Sequence, residues 1–555
     1  MLVLFLVVLG ACAPQGAGRS SSADQVSTPP PPKVLTIGRL EEPATIEGFL
    51  GQGGTAGGAG DIKDLIHNHL TVLDPNDNPV PQLVTELPSV DNGLWRLNDD
   101  GSMDVTWRLR PDVQWHDATP FTSADLLFGY GLHKDPELAH AYGAVTRLMT
   151  SASAPDPMTF SVHWSAAYPR ALEGLGLTPL PRHLLEDLYR SDKDGFLKSP
   201  LFTTEFVGLG PYRLVRWEHG SLMELTRFDG YFRGRPPLDT VIVRFLFDQT
   251  TMLANILAGG VDLLTPPSVD LDGAIEAKRR WEGTGNTVRI EPVAALQYLE
   301  LQLQPQYAKP TNGLVNRNVR EALYRAIDRP SYAGTVSQGY APAADSWYSP
   351  RDPLHKDLED WIPRYPYDPT RAQQMLAEAG WSRGTDGVFA LPGGQRFEIE
   401  IWSNARQGEK PAVVLGEDWK AVGTDARVTA VPPSRATDRE FLSKYPGVLL
   451  ARLPSKNMVG KADSRLISSA ENRWSGSNRS GYTNPRADAL LDELARTIDP
   501  RQQLQLQREQ IKELMGDLAF YPLAWEVLPV LALKGVQGDI GPYNTGWNVF
   551  EWSKA

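Results

Sequence analysis

Residues Thr240 to Leu264 read TVIVRFLFDQTTMLANILAGGVDLL. Thr240 to Phe247 is dense in β-branched and aromatic residues, the composition of a strand. Asp248 can cap a helix that the glycine pair Gly259 and Gly260 closes, and Val261, Asp262 and Leu263 open a buried strand at once. Strand, helix and strand in immediate succession suggest a crossover unit in an open sheet. The fold class that follows is α/β.

The neighbouring sequence extends this reading. Lys33 to Arg39 (KVLTIGR) opens the folded body as a strand, and Leu222 to Arg227, Tyr298 to Leu303 and Phe397 to Trp402 are further strand candidates. Helices announce themselves by their caps. In Asp368 to Gly380, Asp368 caps, Pro369 takes the first helical position, Ala372, Met375, Leu376 and Ala379 form one stripe, and Gly380 ends the helix. Asn484 with Pro485 and Asp499 with Pro500 start two more, the second running to about Leu518, and Asn318 to Asp328 carries the same kind of stripe. No fixed period repeats along the chain.

The chain has 555 residues, 41% of them hydrophobic and 22% charged, so it can bury a core and is neither collagenous nor disordered throughout. A net charge of −12 gives no basic footprint for a polyanion, and no nucleic-acid partner is expected. Met1 to Ala11 (MLVLFLVVLGA) is too short an apolar run to span a bilayer but long enough for an export signal, although no Lys or Arg precedes it. Cys12, the single cysteine, follows Leu9, Gly10 and Ala11 in a run that resembles a bacterial lipobox. A diacylglyceryl anchor on Cys12 is therefore favoured over a plain cleaved signal. Residues 12–33 have the Ser, Pro, Gly and Gln composition of a flexible tether. One cysteine excludes an internal disulfide.

Five segments carry a family resemblance: Trp107 to Phe128 (WRLRPDVQWHDATPFTSADLLF), Gly208 to Leu264, Asn316 to Gly339, Tyr365 to Trp381, and Gly481 to Leu523. In this order and spacing they resemble the family 5 extracellular solute-binding proteins, the dipeptide, oligopeptide and nickel receptors of ABC importers. Ala118 stands where the family prefers glycine. The resemblance implies an α/β, two-lobed, periplasmic-binding-protein-like fold with open mixed sheets and an extra subdomain inserted in lobe I. Mapped here, lobe I takes 34–70, 206–290 and 520–555, the inserted subdomain 71–205, and lobe II 291–519. It also implies an exported receptor without cofactor, periplasmic or lipid-anchored at the outer face of the cytoplasmic membrane, acting as a monomer that closes on a peptide or other small solute and serves membrane permease subunits. A receptor for a non-peptide solute (an anionic or polar small molecule, a sugar, a metal chelate) or a ligand sensor would share the fold.

Catalytic patterns are thin. There is no Gly-x-Ser-x-Gly elbow, Walker A loop or His-Glu-x-x-His pair, so an enzyme is not expected. His67 and His69 are read as packing or surface residues rather than metal ligands, and His116 as a structural hydrogen-bonder. No metal site is expected. Peptide receptors of the family hold the ligand's ammonium with an Asp in lobe II, yet the corresponding Gly447 to Gly460 contains no Asp or Glu. The stretch 436–480 instead carries eight Lys or Arg against four Asp or Glu. Ligands collect at the carboxyl ends of strands in open α/β sheets. This places Trp402, Asn404 and Arg452 at the expected mouth, with Trp474 and Tyr482 as rings flanking it. Gly208 and Gly210 are expected to form a tight turn, and Asp239 and Asp328 to cap or pair.

Overall fold

The computed structural model describes residues 31–46, 60–135, 137–138, 144–174, 177–311, 313–404, 409–436 and 438–555. Cys12 and most of the expected tether lie outside them, as do the side chains of Asn404 and the residues just after it.

Ten strands form one sheet: β1 (Val34–Arg39), β2 (Tyr212–Glu218), β3 (Leu222–Arg227), β4 (Thr240–Phe245), β5 (Leu263–Leu264), β6 (Thr287–Leu301), β7 (Glu398–Asn404), β8 (Asp425–Val431), β9 (Val448–Pro454) and β10 (Phe520–Ala532). Their order is β8-β7-β9-β6-β10-β5-β1-β4-β3-β2. The Thr240–Leu264 crossover is present. β4 and β5 both lie parallel to β1, one on each side, and helix α1 (Gln249–Leu257) connects them with Asp248 Oδ1 accepting from the Thr251 amide at 2.7 Å. Asp368, Asn484 and Asp499 cap α2 (Pro369–Glu378), α3 (Pro485–Arg496) and α4 (Pro500–Asp517) in the same way, as their spacing required.

The two halves of the sheet are continuous. The 15-residue β6 and 13-residue β10 run antiparallel through both halves. Thr287–Pro292 pairs with Val527–Ala532, Leu296–Glu300 pairs with Phe520–Trp525, and the register shifts between Pro292 and Leu296. Such a shift concentrates twist and bend at one point of a ladder. The first part of β6 alternates polar and apolar residues as a strand does, but Pro292 within it argues against a strand reading.

Each half has its own core. Leu296, Leu299, Leu323, Trp419, Leu450 and Leu514 belong to one, and Leu35, Ile37, Val241, Val243, Leu263 and Trp552 to another. A four-stranded antiparallel sheet over 95–164 has a third, built around Trp107, Trp115, Phe121 and Trp164. Gly208 and Gly210 are needed for a reason other than a turn. A Cβ on Gly208 would sit 2.1 Å from the Ile66 carbonyl oxygen, and one on Gly210 2.3 Å from the Ile66 carbonyl carbon. Asp239 pairs with Arg227, and Asp328 caps a helix through the Ser331 amide.

Candidate solute-binding site

β7 is parallel to both β8 and β9, so the carboxyl ends of all three strands face one edge of their half. Arg452 is not in a loop beyond β9, as the apolar run ending at Ala451 suggested, but within the strand opposite Gln297 of β6. Its Nη1 donates to Glu526 Oε1 of β10 at 2.8 Å, with side-chain exposures of 36% and 15%. The Tyr332 hydroxyl donates to Gln297 Oε1 at 3.1 Å alongside.

The register separates the residues expected to cluster. Trp402 pairs with Leu449 and Ser403 with Leu450. Because side chains alternate along a strand, Arg452 shares the face of Leu450 while Trp402 lies on the other. Trp402 and Arg452 therefore do not share a face of the sheet. It is 8% exposed, its ring lies 4.7 Å from Phe441, and its indole N–H donates to Glu400 Oε2 at 3.0 Å. Tyr482 is also a core residue rather than a ring at the mouth, with 4% exposure and a hydroxyl donating to Asp517 Oδ2 at 2.7 Å. Burial and that carboxylate hold its phenol above the ordinary value. Trp474 is partly exposed, with the Lys444 ammonium 4.8 Å from its ring centroid and a backbone φ of 60°. Asn404 ends β7 opposite Val431.

Within the basic stretch 436–480, Lys444 pairs with Glu440 and Arg465 with Asp463, while four of its cations reach acids outside it. Arg452 pairs with Glu526, Lys456 with Asp77, Lys461 with the buried Glu300 and Arg465 with Asp492. Glu526 escaped the sequence reading, although it carries the single charge in the thirteen-residue apolar strand Phe520–Ala532. An isolated charge in such a run is a usable signal.

The histidines are structural. His67 is fully buried, its Nδ1 accepts from the Leu209 amide at 3.3 Å, and its Nε2 lies 3.2 Å from the Pro179 carbonyl. His116 accepts from the Gly208 amide at 3.1 Å through Nδ1 and faces the Gly210 carbonyl at 3.0 Å through Nε2. An Nδ1 that accepts leaves the proton on Nε2, so both rings are neutral donors to those carbonyls. Burial lowers their pKa to about 3 and about 4. Among the described residues no group of three or more His, Cys, Asp or Glu could hold a metal, and no helix is long and apolar enough to cross a membrane.

A mixed sheet threaded by two long crossing strands, with separate cores on its two sides, defines a two-lobed receptor of the periplasmic-binding-protein type. The comparisons agree. The model of the bacterial extracellular solute-binding proteins, family 5 (middle), matches residues 78–458, and the chain belongs to that family. It is similar to the oligopeptide-binding protein AppA of Bacillus subtilis, 25% identical over 100% of this chain and 97% of that one. It is also similar to the glutathione-binding protein GsiB of Escherichia coli strain K12, 24% identical over 86% and 92%. The solved periplasmic EDTA-binding protein EppA superposes with a TM-score of 0.78 over 95% of this chain and 97% of that one, at 18% identity. The chain is thus a solute-binding protein of an ABC importer, and a binding protein rather than an enzyme.

Proposed function

We propose that this protein is an exported, lipid-anchored receptor that captures a peptide or peptide-like solute between its lobes and delivers it to membrane permease subunits as a monomer. The names of the oligopeptide- and glutathione-binding relatives support that solute class. The observation that carries the reading is the Arg452–Glu526 pair, where β9 flanks the crossing strands. It offers a guanidinium and a carboxylate side by side, the complement of a zwitterion. The guanidinium fork suits a solute carboxylate. Contacts to both lobes favour the closed state, which a permease can tell from the open one.

Arg452→Ala is expected to weaken solute binding by about 1.5 to 3 kcal/mol, the range for a hydrogen bond to a charged group. Unchanged affinity in calorimetry with the purified solute contradicts the assignment. Attachment is assigned to Cys12, on its Leu-Gly-Ala-Cys run. Two acyl chains give stable anchoring where one is marginal. Cys12→Ser is expected to move the exported protein to the soluble fraction, and a soluble wild type contradicts the anchor.

A further inference from the structure

Lys456 lies two residues beyond β9, at the edge where the carboxyl ends of the parallel strands gather. Its ammonium lies 3.1 Å from Asp77 Oδ1, 379 positions away in sequence. The two residues belong to bodies with separate cores. Met458 packs with Leu450 and Leu299, whereas Leu70 and Leu83 on either side of Asp77 pack with Trp107. The bridge therefore spans from one body to the other.

Asp77 is held in place from its own side. It occupies the turn between the short strands Thr71–Leu73 and Pro79–Pro81, with φ at 63°. Asp74 Oδ1 accepts from the amides of Asn76 and Asn78 at 2.8 and 2.9 Å, tying the turn. Tyr543 donates its hydroxyl to Asp77 Oδ2 at 3.1 Å, and Asn544 Nδ2 donates to Oδ1 at 3.2 Å and to the Asp74 carbonyl at 2.6 Å. Both come from the C-terminal segment whose Ile540 and Val549 pack with Leu35 and Ile37. The carboxylate is preorganised, and Lys456 is the donor it receives from the opposite body.

Arg452 to Pro454 is extended and Ser455–Asn457 turns as a 3-10 helix, so the four steps from Arg452 to Lys456 cover about 10 to 11 Å. The Arg452–Glu526 pair stands at the crossing strands and the Lys456–Asp77 bridge at the far end of this stretch. An extended peptide advances about 3.3 to 3.6 Å per residue, so about three residues fit between the two. We propose that the Lys456–Asp77 bridge is an end stop that closes the mouth of the cleft and selects short solutes. A solute that extends past Lys456 keeps the lysine from reaching Asp77 and holds the lobes apart. The inference rests on the peptide reading given above and adds the length of the solute and the two residues that set it.

Synthetic random-sequence peptide pools of about three and about eight residues provide the test, incubated with the full chain and quantified by mass spectrometry after removal of unbound peptide. The wild type is expected to retain the short pool at least about tenfold better than the long one, and Lys456→Ala to reduce that preference to within about threefold. Lys456→Arg, which can still reach Asp77, is expected to keep it. A thermal melt confirms that each variant is folded, and Asp77→Asn serves as the second disruption should Lys456→Ala fail to fold. Equal retention of both pools by the wild type overturns the end stop, as does a folded Lys456→Ala protein with the wild-type preference; either result leaves the peptide reading standing. Retention of neither pool by the wild type overturns the peptide reading and the end stop together.

Discussion

Ala118 adopts φ 70° in the turn that its amide closes onto the Trp115 carbonyl at 2.8 Å. An L-residue with a Cβ meets the following carbonyl there at a cost of about 1 to 2 kcal/mol, which glycine avoids. Glycine in turn gives the unfolded chain more freedom. Ala118→Gly is expected to stabilise the protein by a net of about 0.5 to 1 kcal/mol, read from the urea midpoint; an unchanged or lower midpoint contradicts the account. The sequence flagged this position because the family prefers glycine there, and the backbone supplies the reason. The candidate site residues were less legible. Trp402 and Arg452 each end an apolar run, but which face each side chain takes depends on the register of β7 against β9, and register is set by tertiary pairing. Tyr482 was expected as a ring flanking the mouth, whereas it is buried with its hydroxyl donating to Asp517, 35 positions away.

Among the elements, those signalled by local chemistry were the readable ones. Asp248, Asp368, Asn484 and Asp499 cap their helices because a short polar side chain before an amphipathic stripe accepts the exposed first-turn amides. The early part of β6 was less readable, since Pro292 interrupts its alternation and the segment is held by pairing with β10. The segment Gly208–Gly210 is likewise held from outside, against Ile66 and by the neutral rings of His67 and His116. Their pKa values fall from 6.5 to about 3 and about 4, so between those values and 6.5 the unfolded chain binds protons that the folded chain refuses. Stability then falls as the pH drops through that window. Asp64, raised by burial to about 6, works in the opposite sense and offsets part of the loss. His116→Gln is expected to make the urea midpoint less steep against pH between about 4 and 6.5, by up to about 3 kcal/mol over the window. An identical slope contradicts the neutral-histidine account.

At the scale of the whole molecule, the order of five motifs made the family legible before any coordinates, and 78–458 now falls within that family's model. The solute was not legible, because the charges proposed to bound it are distributed over distant segments. Glu526 and Asp77 lie 74 and 379 positions from the basic residues they meet. The central claim is that a peptide or peptide-like solute sits between the lobes, and native mass spectrometry of protein purified without denaturation tests it most directly. The account predicts one bound solute per chain, released by denaturation and fragmenting at amide bonds. A bound species without amide bonds, or the bare mass of the chain both alone and after incubation with short peptides, would contradict it.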